Sequence, residues 1–226
     1  MHIPDGYLSP QTFVPLYGVS FVFWAIALKK IKQELSAKYI PYLAMAAAFS
    51  FLIMMFNVPI PGGTTGHAVG AGIIAILLGP WAAVLAVSVA LIVQAIVFGD
   101  GGITAIGANC FNMAVVIPFV SYWVFKLIKG DANSGARFYV AAFLAGYIGL
   151  SVAAILTGFE FGIQPMIASG PDGKPSYAPY PLSIAVPAMA LEHMMIFSIV
   201  EGMVTALILK YFVKHEAELV YAMKEA

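Results

Sequence analysis

HAVGAGIIAILLGPWAAVLAVSVALIVQAIVF, residues 67–98, decides the fold. As one helix it would be about 48 Å long at 1.5 Å per residue, well beyond the roughly 30 Å of a bilayer's hydrocarbon core. Gly79 and Pro80 stand inside it, a pair that ends one helix and starts another. Two helices are therefore expected, 67–79 and 80–98, the first short for a full crossing.

Further apolar runs lie near 11–28, 39–58, 103–128, 137–158 and 184–212. The chain of 226 residues is 62% hydrophobic and 10% charged, with a mean hydropathy of +0.92, against about 25% charge in soluble domains. These values define an integral membrane protein. Eleven basic residues balance eleven acidic ones, so no excess charge invites nucleic acid. Cys110 has no second thiol to pair with. No repeat or linker divides the chain, and a single membrane domain over 1–226 is expected.

Charge sets the direction, because cytoplasmic loops collect Lys and Arg. Lys29, Lys30, Lys32 and Lys38 place the first loop inside and the N-terminus outside. With seven helices, the cluster Lys126, Lys129, Arg137 and the C-terminal Lys210, Lys214, Lys224 also fall inside; with six, the former would be outside. The expectation is an all-α membrane protein of about seven transmembrane helices, N-terminus outside and C-terminus inside. Four segments then share the outer side: 1–10, 57–67, 99–102 and about 159–183.

The opening MHIPDGYLSP lacks the basic n-region of a signal peptide, since the first lysine is Lys29. It is expected to be retained, with Met1 as the mature N-terminus because His2 blocks methionine removal. A free α-amine, the His2 amide nitrogen and the His2 imidazole Nδ1 close a five- and a six-membered ring around one ion. An amide binds only when deprotonated, and planar nitrogen coordination of that kind suits Ni(II) or Cu(II), with Co(II) related. The fourth donor expected is His67, beside the flexible turn PGGTTGH, in which Pro59 and Pro61 stiffen the approach and Gly62, Gly63 and Gly66 allow close contact. The alternative makes His2 incidental and His67 a hydrogen-bonded core residue. Unperturbed pKa values of about 8 for the amine and 6.5 for imidazole would make affinity fall steeply below about pH 6.

MHIPDGYLS, PIPGGTTGHAVGA, LLGPWAAVLA and QAIVFGDGGITAIGANCFNMAV resemble the signature segments of the CbiM/NikM family, over roughly residues 1–125. These are substrate-capture (S) components of energy-coupling-factor (ECF) transporters for cobalt and nickel. The resemblance implies that Met1, His2 and His67 carry the metal as transported ligand, with no resident cofactor. It implies a prokaryotic plasma-membrane location and partners: a transmembrane coupling protein, cytoplasmic ATPases and, optionally, a small accessory membrane subunit. The chain itself is then no enzyme, and SGPDGKPS at 169–176 lacks the spacing of a phosphate-binding loop. Small residues Ala44 and Ala48, four apart on one helix face, become candidates for docking the coupling protein.

Ionisable residues inside a span are functional candidates. Glu192 and Glu201 fall on opposite helix faces at 100° per residue, and His193 and Glu201 about 80° apart, so no compact metal cluster is expected from them. They leave one rival reading, a stand-alone secondary cation transporter or channel using Glu192, His193 and Glu201 as a relay. An intramembrane metalloenzyme lacks its H-E-x-x-H motif. Glu160 is expected near the outer end of its helix, where it would attract cations. Asn109 is expected to accept the second N–H of a metal-bound imidazole.

Overall fold

The computed structural model describes residues 1–34, 40–60, 64–216 and 220; Lys38, Pro61, Gly62, Gly63 and Lys224 lie outside them. The fold is mostly helical. Seven helices of eight residues or more occur among the described residues: α1 Pro10–Glu34, α2 Ile40–Met54, α3 Ala71–Leu78, α4 Pro80–Phe98, α5 Ile106–Lys129, α6 Gly135–Gly162 and α7 Leu182–His215. Five of these, α1 and α4 to α7, are long and apolar enough to cross a membrane. A short antiparallel hairpin, β1 Val58–Ile60 and β2 Thr64–Gly66, leads from α2 to α3.

The break in the deciding stretch falls at Gly79. Its φ of 88° ends α3, a conformation that a side chain would strain, and Pro80 opens α4 at a position where its missing N–H costs nothing. α3 differs from expectation at its other end. Residues 67–70 are not helical, leaving eight helical residues, about 12 Å, which cannot span a bilayer alone. Residues Ala71 to Ile76 are all buried, because α3 is enclosed by α4, α5 and α7. The other late expectation to shift is the loop from 159, since helix continues to Gly162 and resumes over Gln164–Ile167.

The free backbone N–H groups at the buried start of α3 are satisfied from a neighbouring helix. Glu201 of α7, fully buried, accepts from Val69 N (2.7 Å) and Gly70 N (2.9 Å) through Oε2 and from Gly72 N (3.3 Å) through Oε1. A carboxylate at a helix N-terminus meets both the free N–H groups and the positive end of the helix dipole. The cap holds the turn that carries His67. By contrast α1 is peripheral and turns Phe21, Val22 and Leu28 outward, held by Ser20 Oγ donating to Gly107 O (2.7 Å) and Trp24 Nε1 to Ser88 Oγ (2.8 Å). Ala44 and Ala48 are exposed on the outward face of α2, flanked by exposed Met45 and Leu52.

Glu160 stands near the end of α6, as expected, but is buried, and its Oε2 accepts from Asn112 Nδ2 at 2.8 Å, so the carboxylate is engaged inside the bundle instead of free to attract cations. Removing the Glu201 carboxylate strands several buried N–H groups, each worth about 1–3 kcal/mol. Glu201→Ala is therefore expected to destabilise the protein by roughly 2–5 kcal/mol and Glu201→Gln by less, measured by unfolding in detergent.

Candidate metal centre

The opening decapeptide is built into the bundle. Met1, His2, Ile3, Leu8 and Ser9 are all buried, and each side of the segment is fastened. Ile3 N donates to Asn109 Oδ1 (2.9 Å), and Ile3 O accepts from Asn109 Nδ2 (3.2 Å) and Gly102 N (2.8 Å). The Asp5 carboxylate accepts from Thr104 N (2.8 Å) and Oγ1 and from Ile103 N (3.1 Å), which holds its pKa below the usual value despite partial burial. Further along, Ser9 N donates to Gln164 Oε1 (2.9 Å) and Ala178 N to Tyr7 O (3.1 Å). From the hairpin, Thr64 Oγ1 donates to His2 O at 3.2 Å. All four segments expected on one side of the membrane converge here.

His2 and His67 face one another, ring centroids 4.5 Å apart and planes inclined by 34°. Their tautomers follow from the hydrogen-bond network. Gln94 directs its amide NH2 toward Phe51 O and the Met55 sulfur, so its Oε1 accepts from His2 Nε2–H at 3.2 Å. The lone pair of His2 is thereby assigned to Nδ1, which has no hydrogen-bond partner. His67 Nδ1–H donates to Ala68 O at 3.1 Å, leaving its lone pair on Nε2, also unpartnered. Beside the rings lies the Met1 amine, whose pKa is lowered to about 4, chiefly by burial, while Asp100 and Glu192 pull it up. Burial first, then the amine, lower His2 to about 3. Burial, the amine and His2 likewise depress His67 well below its usual value.

Among the described residues, no three His, Cys, Asp or Glu side chains come together as a ready-made metal cage. The buried Met1 amine is a further nitrogen beside these two histidines. His193 does reach the neighbourhood: its Nδ1–H donates to Met189 O (2.9 Å), its Nε2 is unpartnered, and its charge would act on His67. Glu192 Oε2 is likewise buried without a partner.

Two residues were not singled out from the sequence. Gln94, rather than Asn109, accepts the second N–H of His2, while Asn109 grips the Ile3 backbone. The signal available was a lone amide in an apolar span. Asp100 lies with Oδ1 3.6 Å from His2 Nδ1. Helical periodicity also hid a local feature: α4, α5 and α7 contain π-helical turns at Gln94–Phe98, Cys110–Val116 and His193–Phe197. The turns begin at Gln94, next to Asn109 and at His193, in keeping with the tendency of π-turns to mark functional sites.

A family model described as "Cobalt uptake substrate-specific transmembrane region" (CbiM) matches residues 2–219. The fused nickel transport protein NikMN of Rhodobacter capsulatus is 54% identical over 97% of this chain and 63% of its own length. A putative metal transport protein of Methanocaldococcus jannaschii is 46% identical over 97% of this chain and 94% of its own. The chain thus spans about two thirds of the fused relative and nearly all of the other. In a crystal structure of a truncated transition metal transporter, 44% identical, the fold repeats with a TM-score of 0.91 over 95% of this chain and 99% of that one.

A Cβ added at Gly102 would collide with the Pro4–Asp5 backbone. Gly102→Ala is expected to lift the decapeptide from its loop, raising the rate at which an acylating reagent labels the Met1 amine at least severalfold over the buried wild-type amine.

Proposed function

The chain belongs to the CbiM family of cobalt-uptake substrate-specific transmembrane regions, and on that premise we propose that it captures Ni(II) or Co(II) at its outer face. The donors are the Met1 amine, the His2 amide nitrogen, His2 Nδ1 and His67 Nε2. One observation carries this reading: two imidazole rings lie 4.5 Å apart, each with a buried, unpartnered nitrogen, beside a buried N-terminal amine. Four nitrogens, one an ionised amide, impose the strong planar field that favours Ni(II), and Co(II) accepts the same set.

The chain acts in this proposal as the substrate-capture component of an ECF uptake system in the prokaryotic plasma membrane, one membrane domain with residues 1–10 folded into the outer pocket. All seven helices contribute, N-terminus outside, with α3 and the chain leading into it forming the short third passage. Energy comes from partner ATPases through a coupling protein, and the exposed Ala44 and Ala48 face suits close helix packing with that protein. The rival relay through Glu192, His193 and Glu201 loses support, because both Glu201 oxygens already accept from the backbone of residues 69–72.

Proton release tests the donor set. In water, amine and imidazoles of ordinary pKa would hold about two protons at pH 6.5, and with the amide about three would leave on metal binding. Here the lowered values of the amine and His2, with His67 depressed as well, mean that the neutral donors exist already at pH 6.5, and only the amide proton must go. The expected steep loss of affinity below about pH 6 therefore moves to more acid solution. Calorimetric titration of the purified protein with Ni(II), in buffers of different ionisation enthalpy, is expected to give about one proton per metal at pH 6.5. Affinity is expected to fall about tenfold per pH unit down to pH 5 and more steeply near pH 4. No proton released would mean that the amide does not coordinate.

A further inference from the structure

The proposed chelate leaves a charge unaccounted for. A divalent ion bound by one ionised amide, a neutral amine and two neutral imidazoles carries net +1. In a buried pocket an uncompensated charge is costly, and it is retained only where an opposite charge stands close by.

Asp100 stands there. Its Oδ1 lies 3.6 Å from His2 Nδ1, beyond hydrogen-bond length, with the side chains 23% and 3% exposed. Because His2 donates from Nε2 to Gln94, no proton on Nδ1 joins the pair: two acceptor atoms lie 3.6 Å apart with no hydrogen between them, an arrangement that asks for a cation beside both. The carboxylate is held in place. Asn57 Nδ2 donates to Oδ1 (3.2 Å) and Oδ2 (3.1 Å), and Asp100 N donates to the backbone oxygen of Gln94 (3.1 Å). Gln94 thus fixes both parts of the pair, His2 through its side chain and Asp100 through its main chain. Gly99, left-handed with φ 68°, ends α4 and turns the chain into the loop that presents Asp100.

We infer that Asp100 is the charge-balancing residue of the loaded site, not one of its ligands. Resting on the chelate reading above, the inference makes the complex of a divalent ion, one amide anion and Asp100 neutral overall. A monovalent ion would leave this set of ion, amide and Asp100 net negative and a trivalent ion net positive, so Asp100 contributes to selection by charge where the nitrogens select by geometry. Asn57 is its positioning residue.

The test uses Ni(II) alone with purified full-length chain, measuring affinity by competition with a chelator and coordination by the visible d–d band. D100N is expected to keep the wild-type band, because the nitrogens are untouched, while binding weakens by about tenfold or more. D100E, which restores the charge one methylene further out, is expected to recover affinity to within severalfold of wild type and keeps the test valid if D100N folds poorly. Wild-type affinity in D100N with the band unchanged would overturn the inference alone. A shifted band in D100N would overturn it in favour of direct coordination by Asp100. Absence of a planar-nitrogen band in the wild type would overturn the chelate, and the inference with it.

Discussion

Two imidazole nitrogens, His2 Nδ1 and His67 Nε2, lie in the protein interior with lone pairs and no donor. Leaving such groups unmet costs about 1–3 kcal/mol each, so a fold that creates two side by side must hold them there by force of other contacts. Much of the structure around the decapeptide can be understood as that holding. Gln94 and Ala68 occupy the opposite nitrogens and so fix the tautomers. Asn109, Gly102 and the Asp5 clamp hold the decapeptide inward. Glu201 caps α3 and fixes the turn on which His67 sits.

This arrangement bears on metal release as well as capture. Nitrogens preorganised around an ionised amide form a complex that, on the proposed reading, dissociates slowly, because several bonds must open together. The decapeptide is strapped to the 101–104 loop ahead of α5, to Gln164 after α6, and to Ala178 ahead of α7. Movement of those helix ends would pull directly on the peptide that carries three of the four proposed donors. In the proposed system, energy delivered by partner subunits would thus act on the chelate geometry, beyond reorienting the protein.

Much of the architecture is legible in the sequence because it follows from local chemistry. Gly79-Pro80 breaks the long apolar stretch, and the apolar runs give the helices to within a few residues at most ends. The length of α3 was not legible: residues 67–70 leave the helix where the hairpin delivers His67, and that irregular segment is held by side chains distant in sequence, Glu201, 132 positions from Val69, and Ser50. The pairing of His2 with His67 is argued from coordination chemistry, since rings to be closed by an ion require particular atoms at particular spacing. Gln94 and Asp100 escape such reasoning. Their roles depend on which nitrogen of His2 faces which neighbour, and π-turns in three helices shift the faces that regular 100° steps predict.

The central claim is that the amine of Met1 and the backbone nitrogen of His2 bind the metal together. Inserting one alanine between Met1 and His2 retains every original side chain but moves the imidazole to the third position and changes the ring sizes. The direct measurement is Ni(II) affinity and the visible spectrum of this insertion variant against the wild type. The account predicts that tight binding is lost or that the band changes to that of a different donor set. Unchanged affinity and spectrum would contradict it and shift attention to His193 and Glu192.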